Sequence, residues 1–222
     1  MSSAYGAIAR PQSSVGPAST ADILHPLPST IVRPLLRDGS TAMIQSICPS
    51  NTGLVEQLHI LFNRIIDDGD TYPQEEPMSK QAFISYFFSN DAYVLVDVET
   101  QSTVYGAFYI KPNFPGRCCH ICNGGFIVAH EHRNKGVGRA LATAYLRIAP
   151  RLNYKASMFN LVFETNIASV RLWQTMGFVE IGRVPHAGKL KGSVGLVDAI
   201  MFYYCFEKDD NQEAVEPSSG HE

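Results

Sequence analysis

Between residues 54 and 66, apolar side chains recur at Leu54, Val55, Leu58, Leu61, Phe62, Ile65 and Ile66. This is the spacing of one face of an α-helix. Gly69 follows, a residue type that ends helices by adopting the left-handed conformation. A second helix is predicted over Ser79–Phe88, after the loop Asp70-Thr71-Tyr72-Pro73-Gln74-Glu75. The period then changes. Tyr93–Val98 and Thr103–Ile110 are β-branched and aromatic and read as strands, as does Phe126-Ile127-Val128. After Gly136 helical spacing returns at Val137, Leu141, Tyr145 and Ile148, and Pro150 stops it. Met158–Thr165 is predicted as a strand. Simple alternation puts Asn160, Val162 and Glu164 on one face and Phe159, Leu161 and Phe163 on the other. A short helix (Ile167–Met176), a strand (Phe178–Val184), a loop (Pro185–Lys189) and a last strand (Val197–Phe206) complete the pattern. Upstream, the stretch from Ile31 to Ile47 predicts two short strands around the turn Arg37-Asp38-Gly39-Ser40. No repeat of fixed period is visible.

These elements predict an α/β (α+β) domain over residues 31–206, followed by a polar tail, 207–222. Residues 1–30 are rich in Ser, Ala and Pro, with Arg10 and Asp22 as their only charges. They are expected to be disordered or loosely attached. Being Ser-rich and acid-poor, the segment also has the makings of a mitochondrial presequence, but it lacks the usual arginines. A length of 222 residues suits one domain with a substantial core, and a net charge of -3 argues against nucleic acid as a partner. No apolar run has the length of a membrane span. Five cysteines, an odd number, suit a reducing compartment better than a disulfide framework, so a cytoplasmic location is expected.

The most informative chemistry lies between the Phe126 strand and the Val137 helix. Gly136 and Gly138 let backbone N–H groups approach a ligand closely. The helix that begins there offers unpaired N–H groups and the positive end of its dipole. Arg133, Lys135 and Arg139 add positive charge. Together they make an anion site. The P-loop pattern is absent, and a single Gly-x-Gly pair does not make a dinucleotide fingerprint. What is present is R-x-x-G-x-G, in Arg133, Gly136 and Gly138. Downstream come Asn166-Ile167-Ala168-Ser169, Trp173 and Gly177-Phe178. This combination resembles the GNAT family of N-acetyltransferases, whose loop binds the pyrophosphate of CoA.

The resemblance implies a GNAT fold, a mixed central sheet flanked by helices, with acetyl-CoA as co-substrate. It assigns cofactor binding to Phe126, Ile127, Val128, Arg133, Asn134, Lys135, Gly136, Val137, Gly138 and Asn166. Four further stretches narrow it: Thr71-Tyr72-Pro73-Gln74, Phe108 to Asn123, Phe159-Asn160-Leu161-Val162-Phe163 and Val184 to Gly188. They are similar to the fungal azetidine-2-carboxylate N-acetyltransferases, which acetylate toxic proline analogues. The implied acceptor is a small cyclic imino acid, bound by Asn123, Asn160 and the backbone N–H of Leu161. A homodimer is a further family expectation.

Direct attack of a neutral amine on the thioester needs stabilisation of the carbonyl oxygen and of the departing sulfur. The resemblance places the pantetheine arm along the strand Gly125 to Val128, so a backbone N–H of that strand is expected at the oxygen. Many GNAT enzymes place a tyrosine near the sulfur. Here Trp173 stands in that helix and reads as core, so Asn166 becomes the candidate, with helix capping as its plainer role. Glu164, His186 or a water chain are the candidates for the base. Cys119-x-x-Cys122 with His130 and His132 invites a zinc reading, but the histidine spacing is wrong for a zinc site, and no metal is expected. Two other functions stay open: acetylation of peptide amines, with Asp67, Asp68, Asp70, Glu75 and Glu76 as an acidic groove, and a sensor that binds acetyl-CoA without turnover.

Overall fold

The computed structural model describes residues 8–11, 23–24 and 27–207. Among them, seven strands form one mixed sheet: β1 (Ala42–Ile47), β2 (Asp91–Asp97), β3 (Val104–Pro112), β4 (Ile121–Val128), β5 (Ala156–Phe163), β6 (Val179–Lys189) and β7 (Leu196–Cys205). Their order is β1-β2-β3-β4-β5-β7-β6. All neighbours are antiparallel except β4 and β5, which are parallel. The main helices are α1 (Thr52–Asp68), α2 (Lys80–Phe87), α3 (Val137–Ile148) and α4 (Ile167–Thr175).

Alternation along the central strands divides the core in two. Tyr93, Leu95, Phe108 and Ile110 pack with Val137, Leu141, Tyr145 and Ile148 of α3 and with Trp173 of α4. Val94, Val96, Ala107 and Tyr109 pack on the other face with Val55, Leu58, Phe62, Ile65 and Ile66 of α1 and with Phe83 and Phe87 of α2. The helical spacings in the sequence are therefore two buried stripes on opposite sides of one sheet. Gly69 closes α1 in the left-handed region, φ 68°, and its N–H donates to the Ile65 carbonyl. The Ser79 hydroxyl accepts from Ala82 N–H and starts α2.

The parallel pair is brief. β4 and β5 are in register only at Ile121–Ala156 and Cys122–Ser157. Beyond Cys122 the two strands part and open a wedge in the middle of the sheet. The hydrogen bond from Asn113 N–H to the Ile121 carbonyl fixes the phase of the β3–β4 ladder, so Asn123, Gly125 and Ile127 bond toward β3. Gly124, Phe126 and Val128 thus turn their N–H and C=O groups into the wedge.

Four expectations need correction. The strand expected from Ile31 is instead a short helix, Ser29–Val32, and the hairpin around Asp38 is reduced to one bridge, Leu35–Thr41. The predicted loop Pro185–Lys189 belongs to β6, where Gly188 and Lys189 pair with Val197 and Leu196 after a shift in register. The simple alternation of β5 fails because a bulge lies between Phe159 and Val162. Phe159 and Val162 therefore pack in the α3-side core, while Phe163 packs with Leu190, Val197 and Ala199. The segment expected to be loose is also partly packed: Ile23 and Leu27 are buried in the α3-side core. Residues 1–7, 12–22 and 25–26, and 208–222 of the polar tail, lie outside the described residues.

Candidate active site

The wedge widens into a cleft of about 920 Å³. Its walls come from the turn at Arg37, the loop from Asp70 to Pro73, the wedge-facing length of β4, the glycine loop, the bulge of β5 and the first turns of α4. Phe126 and Val128 line it, and their ladder-free N–H groups face it. Ile127 also borders the cleft, but in another way. Its backbone pairs with Ala107 of β3 and its side chain is buried in the α1-side core.

At one end the glycine loop meets α3. Gly136 has φ 91° and hands the chain to the helix, so the N–H groups of Val137, Gly138 and Arg139 open the first turn. Arg37, Arg133, Arg139 and Arg171 line this part of the cleft. A Cβ on Gly138 would meet only Leu172, at 3.7 Å, so the space above this glycine is cleft rather than protein. Such a surface suits a diphosphate. Asn134 lines the cleft, with φ 63°. Lys135 does not line it: its carbonyl accepts from Arg37 N–H and its ammonium lies 3.6 Å from Asp38. The Val137 side chain is core. Arg133 is partly balanced by Asp68, 3.8 Å away, which also takes a 2.7 Å bond from His130. Arg37 and Arg171 were not singled out from the sequence, because nothing local marks an arginine as facing a ligand.

Asn166 stands at the head of α4. Its side-chain oxygen accepts from Ser169 N–H at 3.2 Å, so it caps the helix. That bond leaves the amide N–H₂ without a partner among the described residues, and the residue lines the cleft. Trp173 is 3% exposed and lies among the rings of Phe126, Phe159 and Phe178. It is core, as its sequence position predicted, though one edge borders the cleft.

At the other end, three asparagines meet. Asn113 and Asn160 exchange two amide hydrogen bonds, at 2.8 and 2.6 Å, and the Asn123 amide N–H₂ donates to the Asn113 oxygen at 3.2 Å. The bulge of β5 takes Asn160 and Leu161 out of register with β7. The Leu161 N–H is thereby freed from the ladder, and both residues line the cleft. Asn113, which joins the two predicted asparagines, was not among the candidates. Opposite stand Tyr72, Tyr86 and Tyr109. The Tyr86 and Tyr109 hydroxyls are 3.1 Å apart. Burial holds the Tyr72 and Tyr109 phenols well above their ordinary pKa, so both remain neutral.

Neither candidate base reaches the cleft. The Glu164 carboxylate is 3.1 Å from the Arg183 guanidinium, because the bulge takes it off the face that Asn160 occupies. His186 sits in the β6 bulge with φ 53°, its N–H donating to Asp198. The sulfur of Cys122 is buried, 3.1 Å from the Tyr145 hydroxyl, and burial pushes its thiol up to about 12. His130 is held by Asp68 and His132 stacks on Tyr105. Among the described residues, no group of three or more His, Cys, Asp or Glu side chains is placed to hold a metal.

A family model described as the acetyltransferase (GNAT) family matches residues 58–178. The chain belongs to that family. It is 45% identical over 168 residues to the N-acetyltransferase aca1 of Schizosaccharomyces pombe, covering 69% of this chain and 80% of that protein. Protein SPT10 of Saccharomyces cerevisiae is 28% identical over 233 residues; the match covers 81% of this chain but only 36% of SPT10. A GCN5-related N-acetyltransferase from Kribbella flavida has the same fold, with a TM-score of 0.68, 29% identity, and 74% and 97% of the two chains covered. A phosphinothricin acetyltransferase from Sinorhizobium meliloti, solved with acetyl-CoA, superposes with a TM-score of 0.65 at 16% identity, over 74% and 88% of the chains. The protein is thus an acetyl-CoA-dependent N-acetyltransferase with the GNAT fold. Its family acts on small-molecule or peptide acceptors.

Proposed function

We propose that the protein acetylates the secondary amine of a small cyclic imino acid of the azetidine-2-carboxylate kind. The observation that carries this reading is the amide cluster Asn113–Asn123–Asn160, facing neutral tyrosines at the end of the cleft away from the glycine loop. The partly buried Asn123 amide, the exposed Asn160 amide and the tyrosine hydroxyls line the cleft together, a polar surface that suits a compact polar acceptor. A basic peptide would need an acidic groove. Among the described residues Asp70 is the one carboxylate that lines the cleft, and Asp68 is engaged by His130 and Arg133. The 45% identity to an N-acetyltransferase supports the reaction class, and the sequence resemblance supports the acceptor.

Acetyl-CoA supplies the activated acetyl thioester. The first turn of α3, with Arg37, Arg133 and Arg139, holds the diphosphate. Phe126 and Val128 donate backbone N–H bonds toward the pantetheine arm and the thioester oxygen. The Asn166 amide N–H₂ steadies the departing sulfur while its oxygen keeps the helix capped. The Asn123 and Asn160 amides and Leu161 N–H orient the acceptor, with its nitrogen toward β4. With Glu164 and His186 turned away, the ammonium proton leaves to cleft water or to Asp70.

The test is CoA-thiol release measured over a panel: azetidine-2-carboxylate, proline, simple cyclic amines, and lysine or N-terminal peptides. Azetidine-2-carboxylate should show the highest kcat/KM. Faster turnover of the peptides would overturn the proposal.

A further inference from the structure

An imino-acid acceptor brings a carboxylate, and amides alone are a weak counterpart for it. The cleft's lining arginines sit on the glycine-loop side and on α4. One more cation lies at the acceptor end. Lys111 pairs directly with Asn123 across the β3–β4 ladder, so the two side chains leave the same face of the sheet. Its ammonium rests over the rings of Tyr86 and Tyr109, 4.6 and 4.5 Å from their centroids. Both rings line the cleft. Among the described residues, no carboxylate comes within ion-pair distance of Lys111. Ring faces partly compensate a half-buried ammonium, but an anion compensates it better. Burial accordingly draws the Lys111 ammonium below its ordinary pKa, which is the mark of a charge still short of a partner.

We propose that Lys111 is the specificity-determining cation of the acceptor site, receiving the acceptor's carboxylate beside Asn123 and against the Tyr86–Tyr109 pair. The assignment rests on the imino-acid reading for the identity of the acceptor, but its geometry asks only for a carboxylate near the amine. Lys111 acts in binding and takes no proton from the amine.

The experiment compares azetidine-2-carboxylate, its methyl ester and unsubstituted azetidine as acceptors for wild type, Lys111→Met and Lys111→Arg. Melting temperature and acetyl-CoA affinity serve as controls. A charge-assisted contact of this kind is worth roughly ten- to a hundredfold in affinity. Wild type should therefore prefer the acid to the ester. Lys111→Met should raise KM for the acid by about that factor, with kcat within about twofold, and should leave the ester and azetidine unchanged. Lys111→Arg should recover much of the loss. If Lys111→Met does not fold, the wild-type preference for acid over ester still decides, because equal use of the two overturns the assignment. A fall in kcat for all three acceptors would make Lys111 a base and overturn it as well. If azetidine-2-carboxylate is not a substrate, but another carboxylate-bearing amine is preferred to its ester and loses that preference in Lys111→Met, the imino-acid reading fails and Lys111 keeps its role.

Discussion

Asn166 offers a separation of catalysis from folding within one side chain. Its oxygen accepts the Ser169 N–H at 3.2 Å and its N–H₂ is left for the cleft. Asn166→Asp keeps the capping oxygen, and the carboxylate is welcome at the start of α4. It removes the donor and places an anion where negative charge develops on sulfur. The expected result is a melting temperature within about 2 °C of wild type, with kcat lower by ~10²–10³, roughly 3–4 kcal/mol of barrier. KM for both substrates should change much less, because the lost bond is stronger in the transition state than in the ground state. Asn166→Ala loses both roles. It should cost about 1 kcal/mol of stability, or about 2–4 °C for a domain of this size, with a similar loss of kcat. The assays are steady-state thiol release and thermal unfolding of the same preparations. A fully active, normally stable Asn166→Asp enzyme would refute the catalytic role and leave the cap alone.

Gly138→Val should fold, since only Leu172 stands near the new side chain. It should weaken acetyl-CoA binding at least about tenfold in calorimetry, because the added methyl groups fill cleft space. Glu164→Gln and His186→Ala should leave kcat within about twofold across the pH profile, since neither residue lines the cleft; a collapse of either profile would contradict the geometry. Gly125→Ala should cost about 1–3 kcal/mol of stability and damage acceptor turnover, because its Cβ would strike the Tyr109 ring that lines the cleft. Asp91 is paired with Arg10 at 3.2 Å, yet burial raises its pKa and one of its oxygens has no hydrogen-bond partner among the described residues. Its folded-state pKa lies above the unfolded one, so its stabilising contribution is full below the unfolded pKa and is lost as pH rises through the folded pKa. Asp91→Asn should therefore raise the melting temperature near neutral pH and change it little below about pH 4. Scanning calorimetry at the two pH values checks this.

What could be read from the sequence was local. The stripe of Val137, Leu141, Tyr145 and Ile148 needs only its own periodicity to declare a buried helix face. Gly69 and Gly136 mark turns that require positive φ. The anion site at Gly136 and Gly138 follows from the same local chemistry, and so does the cap at Asn166. What stayed hidden depends on partners far along the chain. The bulge at Asn160 and Leu161 is set by the register of β7, about 40 residues on, and reverses the face assigned to Glu164. Residues 185–189 look like a loop because Pro185 and Gly188 are turn residues, yet pairing with Leu196 and Val197 makes them part of a strand. Asn113 joins the asparagine cluster through a contact 47 positions away. Lys111 reads as the polar end of a strand until the ladder sets it beside Asn123 and the two tyrosine rings. The burial of Ile23 and Leu27 was missed because two apolar residues four apart are too few to outweigh a polar, proline-rich context.

The most direct test of the account is mass analysis of a reaction containing the purified protein, acetyl-CoA and azetidine-2-carboxylate, with thiol release followed in parallel. The account predicts one N-acetyl-azetidine-2-carboxylate per CoA released, at a rate that falls with Asn166→Asp and, through KM, with Lys111→Met. Acetyl-CoA bound in the cleft with no acetylated imino acid formed, while a lysine peptide is acetylated under the same conditions, would contradict it.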